Sequence, residues 1–400
     1  MSSMNFTNIR YLLFCLFYVV IGMNSFAISN GKIYCQEHNF ADTIKFTYKA
    51  GQIFVPISIG DKEYRFLFDT GAPMFMLNEV SSDFIKHELD SILVGDFTKS
   101  KKQEIKHGFM RDFALGKLHF SNYEYCIMNY GSANDCDGFW GVSSLFEYGL
   151  SMKIDLKDGV IILTDIKDFF DNEQGLEIPY DSYNSYLNMR FSMSYGRGGW
   201  VRFDTGVNSF MTLNKKDYYD KSIKGKHKEK FKEQIVWSDF GSIRRSVHGL
   251  ENPAEHIFMK INEIGIGDVI FEGLPVEVTQ GMTTIGSRIL EYGSIIIDSH
   301  KNKMKYQPNI WGGRVSINDN NEDVMFVCES GNIYVAMLNP NSDIYKQGLR
   351  KGNYLIEYNQ KPIKCIADFY NARNMTDKDK TYMAKFKNEI GDVVEIMFNR

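Results

Sequence analysis

Two short, apolar-rich runs, Phe54-Val55-Pro56-Ile57-Ser58-Ile59 and Tyr64-Arg65-Phe66-Leu67-Phe68, are joined by the polar turn Gly60-Asp61-Lys62-Glu63. Partial alternation on either side of such a turn predicts a β-hairpin. The plan recurs from Tyr186 to Met193, through Gly196-Arg197-Gly198-Gly199, to Trp200–Phe203. Each second strand runs straight into the same triplet, Asp69-Thr70-Gly71 and Asp204-Thr205-Gly206. From average residue usage, a chain of this length holds a given triplet by chance roughly a tenth of a time. One copy alone reads as an ordinary exit from a strand into a turn, where Asp, Thr and Gly are all favoured. Two copies in matched surroundings read as a duplication.

Further landmarks follow in the same order after each triplet. His107-Gly108-Phe109 is answered by His248-Gly249-Leu250, and Leu115-Gly116-Lys117-Leu118 by Ile266-Gly267-Asp268-Val269. Phe139-Trp140-Gly141 corresponds to Thr284-Ile285-Gly286, and each leads into Glu-Tyr-Gly, at Glu147-Tyr148-Gly149 and Glu291-Tyr292-Gly293. Both copies close on an Ile-Asp strand (Ile154-Asp155, Ile297-Asp298), a charged turn and another apolar strand. The chain therefore divides into two β-rich lobes, 28–171 and 172–310, whose unequal spacings are insertions in surface loops. A polar stretch rich in Asn and Asp makes 311–323 a linker, and 324–400 forms a third unit.

The hairpin entering Asp-Thr-Gly-Ala, together with Ile285-Gly286-Ser287-Arg288-Ile289-Leu290, resembles the aspartic protease superfamily, each lobe being similar to a retropepsin-like unit. The resemblance covers both lobes and implies a mainly β, bilobal double-β-barrel in which one chain supplies both halves of the site. In the third unit, Gly348-Leu349-Arg350-Lys351-Gly352-Asn353-Tyr354-Leu355-Ile356-Glu357-Tyr358-Asn359 resembles a PDZ stretch, and Gly391-Asp392-Val393-Val394-Glu395-Ile396 fits a final strand. Asn353 stands where that family has Asp, Gln360 where it has Gly, and no clear carboxylate-binding loop precedes them. The expectation is a small α+β, PDZ-like domain with a peptide as its ligand.

Composition changes this picture little. Among 400 residues, hydrophobic content of 44% and charge of 24% describe a globular chain of two to three domains. A net charge of −4 gives no reason to expect nucleic acid as a partner. Lys215 to Gln234 is lysine-rich and reads as a solvated helix or loop of the second lobe. At the N-terminus, Arg10 precedes an apolar run from Tyr11 to Ile21, and Ser25-Phe26-Ala27 has the small-x-small pattern of a cleavage site. Residues 1–27 are therefore expected to be a signal peptide, the alternative being an uncleaved anchor. Export leads to the periplasm, the cell surface or the medium. Cys35, Cys126, Cys136, Cys328 and Cys365 remain, an odd set without zinc-ligand spacing, so neither metal nor cofactor is expected. Cys126 and Cys136 either bridge or stay as buried thiols.

The chemistry follows from pairing. Two carboxylates brought within about 3 Å cannot both ionise cheaply, so they share one proton. The ionised member of Asp69 and Asp204 then takes a proton from water, and the protonated member hydrogen-bonds the scissile carbonyl. Gly71 and Gly206 let the backbone turn tightly and bring an N–H to a carboxylate. The resemblance implies that Thr70 and Thr205 exchange hydrogen bonds between the lobes. Ala72 conforms to the family's next position. Val207 offers Asp204 no hydroxyl, and its branched bulk is expected to strain the turn. His107-Gly108-Phe109 and His248-Gly249-Leu250 are the candidate flaps, closing over the cleft on a glycine tip. An exported aspartic endopeptidase acting on peptides as a monomer is the first reading; a catalytically impaired, bilobal peptide-binding protein is the second. A third makes the PDZ-like segment the main element, tethering partners.

Overall fold

The computed structural model describes residues 33–78, 90–95, 102–128, 136–182, 185–246, 249–319, 322–329, 331–365, 368–369, 372 and 381–399. The segment read as an export signal, and His248 with it, lie outside the described residues. Among the described residues the protein is mainly β, its strands forming sheets of eleven, fourteen, six and two.

The first sheet is built on β1 (Gln52–Ile59), β2 (Lys62–Asp69), β3 (Phe75–Asn78), β4 (Asp90–Gly95), β5 (Lys102–Met110), β6 (Tyr123–Met128) and β7 (Gly138–Gly141), in the order β1-β2-β7-β3-β6-β5-β4. The second is built on β8 (Asn188–Met193), β9 (Gly199–Phe203), β10 (Met211–Asn214), β11 (Ile235–Gly241), β12 (Ala254–Ile266), β13 (Val269–Thr279) and β14 (Thr284–Ile285). Their order is β8-β9-β14-β10-β13-β12-β11, the first order shifted strand for strand. Pairing sense is duplicated too. β7 runs parallel to β2 and antiparallel to β3, as β14 does to β9 and β10. Parallel pairs are also formed by β6 with β3 and by β13 with β10.

The two closing Ile-Asp strands meet. Ser151–Asp155 pairs antiparallel with Gly293–Asp298, placing Met152 opposite Ile297 and Ile154 opposite Ile295. They are the middle of a run ordered Ala41–Lys45, Val160–Thr164, Ser151–Asp155, Gly293–Asp298, Lys303–Pro308, Leu176–Asp181. Read from either end, that run meets equivalent strands of the two halves. One apolar core spans both halves, from Phe66, Phe68 and Trp140 to Phe203, Phe271 and Tyr306.

The stretch 311–323, read as a linker, is in part built into the second half. Arg314–Ser316 forms a strand parallel to β13, and Val315 and Ile317 are buried in the main core. Two apolar residues at alternate positions were enough to anchor it, and the surrounding Asn and Asp residues masked that signal. Lys215–Gln234 folds as short helical pieces with Tyr219 and Phe231 turned inward.

The C-terminal unit has β15 (Val324–Glu329), β16 (Asn332–Leu338), β17 (Tyr354–Tyr358), β18 (Thr381–Lys387) and β19 (Val393–Asn399) in sequential order, with a helix at Asp343–Lys346 and its own core around Leu349 and Phe386. Asn353 closes the Gly348–Asn353 turn, its Oδ1 accepting from the Arg350 amide at 3.0 Å. Asn359 and Gln360 both adopt positive φ (49° and 62°), making the two-residue hairpin turn after β17 that suits the sheet twist. This unit is seated on β11: Met337 packs with Trp237 and Phe258, and Asp239 accepts from Lys351 at 3.0 Å and from the Leu338 amide at 3.2 Å.

Candidate active site

β2 and β9 deliver Asp69 and Asp204 because Phe66 and Phe68, like Val201 and Phe203, are locked into the core. The parallel neighbour then fixes each exit. Gly141 lies opposite Asp69 on β7, and the Asp204 amide donates to Ile285 O at 2.9 Å.

Across the junction of the halves the threonines form a closed set of four hydrogen bonds. The Thr70 amide donates to Thr205 Oγ1 and the Thr205 amide to Thr70 Oγ1, each at 3.0 Å. Thr70 Oγ1 donates to Phe203 O at 3.1 Å, and Thr205 Oγ1 to Phe68 O at 2.9 Å. Both hydroxyls thus act as donor and acceptor, and both side chains are fully buried. Such a set leaves no orphaned polar group, so it fixes geometry without a desolvation loss.

The glycines have a role that the sequence did not disclose. Each amide does reach its own aspartate, Gly71 to Asp69 Oδ1 at 2.7 Å and Gly206 to Asp204 Oδ1 at 3.1 Å. Neither glycine, however, has the positive φ that requires glycine. What requires it is the opposite carboxyl. A Cβ on Gly71 would lie 2.3 Å from Asp204 Cγ, and one on Gly206 2.7 Å from Asp69 Cγ. Each carboxyl is seated on the other turn's bare Cα.

The two carboxyls are close enough that each bears directly on the other's hold on a proton. Asp69 is buried, and its carboxyl is held well above the usual range, first by burial and then by the charge of Asp204. Asp204 is half-buried; burial pushes it up too, but the Arg202 guanidinium opposes this. The pair as a unit therefore holds one proton, and Arg202 weighs more heavily on Asp204 than on Asp69. A dyad of this kind, holding one proton and one charge, activates water at one oxygen and polarises a carbonyl at the other.

Val207 does not strain its turn. Its carbonyl accepts from the Ser287 amide at 2.9 Å, as the Ala72 carbonyl accepts from the Ser143 amide at 3.0 Å, and its φ is ordinary. Gly141 and Gly286 meet equivalent carbonyls, Met74 and Ala72 in one half and Ser209 and Val207 in the other.

The first candidate flap needs correction. His107, Gly108 and Phe109 lie inside β5, flanked on both sides by β4 and β6, so they are not a hairpin tip. Residues 96–101, between β4 and β5, lie outside the described residues. The Gly249–Leu250 pair does belong to a tight hairpin, antiparallel to Arg245–Ser246, which extends the β11–β12 hairpin. By strand register the position equivalent to His107 in the second half is Phe258, and His256 lies two residues before it on β12. Each histidine bonds a glutamate diagonal to it on the next strand, His107 to Glu124 at 2.5 Å and His256 to Glu277 at 2.8 Å. A shared His-Gly dipeptide suggested the wrong match.

At the base of the second hairpin lies a buried charged cluster that residue spacing does not reveal. Arg244 bonds Glu277 at 2.6 and 3.3 Å, and His256 Nε2 faces Glu251 at 3.4 Å. Burial alone would raise Glu277, but Arg244 and His256 hold it down to about 2. Burial would lower His256, yet Glu251 and Glu277 raise it to about 9. Among the described residues no group of three or more His, Cys, Asp or Glu side chains is placed to hold a metal. Cys126 and Cys136 are both free, with burial pushing the thiols up to about 12 and about 11.

No protein-family model and no curated protein matches the chain. Among solved structures it is similar to the aspartic proteinase from Irpex lacteus (13% identity, TM-score 0.44, 67% of this chain and 97% of that one). It is also similar to Basic 7S globulin from soybean (12% identity, TM-score 0.40, 67% of this chain and 94% of that one).

Proposed function

We propose that the protein is an exported aspartic endopeptidase. The observation that carries this reading is the reciprocal seating of Asp69 on Gly206 and Asp204 on Gly71, locked by the Thr70–Thr205 hydrogen bonds. Asp204 accepts a proton from a water held between the carboxyls, and Asp69 donates its proton to the oxygen of the scissile carbonyl. The hydroxide so formed adds to the carbonyl carbon. The tetrahedral intermediate then collapses as the C–N bond breaks, the leaving amine taking the proton held by Asp204 and Asp69 recovering its own from the intermediate's hydroxyl, with no covalent enzyme intermediate. Export rests on the apolar run from Tyr11 to Ile21. The hairpin at Arg245–Leu250 is the element that closes on substrate. We read the C-terminal unit as PDZ-like and as a device that positions substrate or regulates access, because it sits on β11, the strand that leads into that hairpin.

Incubating the mature chain with a mixed peptide library from pH 3 to 7, beside Asp69→Asn and Asp204→Asn, tests this. Cleavage by the wild type alone is expected. No cleavage at any pH would remove the enzyme reading, and cleavage surviving both substitutions would remove this site. Peptide binding without cleavage would favour a bilobal peptide-binding protein.

A further inference from the structure

We propose that Arg202 is a positioning residue for the aspartate pair: its guanidinium is the counter-charge to the pair's single negative charge, and it makes Asp204, not Asp69, the carboxylate that takes the proton from water. This rests on the reading of the pair as a catalytic dyad.

Residues two apart on a strand face the same side, so Arg202 shares the face of Asp204 while Val201 and Phe203 point into the core. The guanidinium is stacked 3.5 Å from the centre of the Tyr186 ring, which holds its plane in place. Its Nε is buried without a hydrogen-bond partner, and among the described residues no carboxylate forms an ion pair with it. A guanidinium does not lose its proton, and a partly buried one is costly unless a negative charge answers it. The charges that answer are those of the pair itself.

The other groups around Asp204 do not compete for this role. Arg244 also acts on it, but its charge is engaged by Glu277, with Glu251 and His256 behind. The Tyr186 hydroxyl is held neutral, chiefly by burial. The glycine amides point the other way: the bond to Asp69 (2.7 Å) is shorter than that to Asp204 (3.1 Å), which alone would make Asp69 the better anion. Arg202 acts on both carboxyls, but it is the largest opposing influence on Asp204 and the smallest of those on Asp69, so its charge favours the anion on Asp204. At the equivalent place in the first half stands Leu67, buried and uncharged.

The test compares full-length wild type, Arg202→Leu, Arg202→Gln and Arg202→Lys in two measurements. One is the pH profile of peptide cleavage; the other is the titration of the aspartate carboxyls by carbon-13 NMR. Arg202→Leu, and Arg202→Gln should the first not fold, is expected to move the acid limb and the carboxyl titration upward by about one pH unit. Arg202→Lys is expected to leave both near the wild-type position. A uniform fall in rate with unmoved limbs and unmoved carboxyl titration would overturn the proposal. Should the wild type cleave nothing, the endopeptidase reading fails, and the carboxyl titration alone decides about Arg202 by the same two outcomes.

Discussion

The Asp69 and Asp204 turns have nearly the same backbone and quite different surroundings. Both end a strand held by a parallel neighbour, both place a threonine in the shared set of hydrogen bonds, and both leave a bare glycine under the opposite carboxyl. Two residues before the aspartate, however, one half has the buried Leu67 and the other has Arg202 against Tyr186. Duplication thus gives the symmetry that brings two carboxyls together, and side chains outside the triplet break it. A dyad needs both: equal placement so that a proton is shared, and unequal electrostatics so that acid and base are distinct.

Removing the room for the carboxyls is the most damaging way to break the comparison. Gly71→Ala and Gly206→Ala should each lower kcat/KM by at least about 100-fold, because displacements near 1 Å at reacting groups cost that much. Gly71→Ala should be the worse, since its Cβ would lie 2.3–2.5 Å from the Asp204 carboxyl against 2.7–2.9 Å for Gly206 and Asp69. Equal, small losses in peptide-cleavage assays would show that the carboxyls are not seated this way.

The two His–Glu pairs compare the halves in stability. Glu277→Gln leaves buried Arg244 without its paired anion and His256 with Glu251 alone, and should destabilise by about 3 kcal/mol. Glu124→Gln, in a half-buried pair, should cost about 1 kcal/mol. Glu277 is lowered from 4.5 to about 2, so its contribution is complete above about pH 4.5 and lost as pH falls through about 2. His256 is raised from 6.5 to about 9, so its contribution is complete below about pH 6.5 and lost as pH rises through about 9. Denaturant melts should therefore place the full contribution of this cluster between about pH 4.5 and 6.5, and Glu277→Gln should flatten that dependence.

Asp69→Asn sharpens the difference between the turns from another side. A carboxyl whose folded pKa lies above its unfolded value weakens the fold as pH rises past the unfolded value, 3.8. Replacing it should stabilise the protein at pH 7 by about 1–2 kcal/mol and change little at pH 3, while activity is lost. Asp204→Asn should stabilise less. The smallest effect belongs to Val207→Ala, for which cleavage rates within about twofold of wild type are expected, since Val207 already keeps the closure that Ala72 has.

The sequence disclosed the duplicated hairpins, both aspartates, the threonines and the matched glycines at 141 and 286, because each depends on local spacing or on an exact repeat. It did not disclose what depends on residues meeting from distant strands. The His107 and His248 motifs share a dipeptide, whereas strand register places Phe258 at the position of His107. Arg202 and Arg244 sit in no local pattern that marks a role. The glycines of the triplets looked like turn residues, and only the approach of the opposite carboxyl shows why a Cβ is excluded. Arg314–Ser316 read as linker because three residues carry too little periodicity to mark a strand.

The central claim is that Asp69 and Asp204 act as one unit across the duplicated turns. Measuring kcat/KM for Asp69→Asn, Asp204→Asn and the double variant tests it most directly. If they are one unit, each single substitution lowers the rate about as far as the double one does. Losses that multiply in the double variant, or a single variant that keeps wild-type activity, would contradict the account.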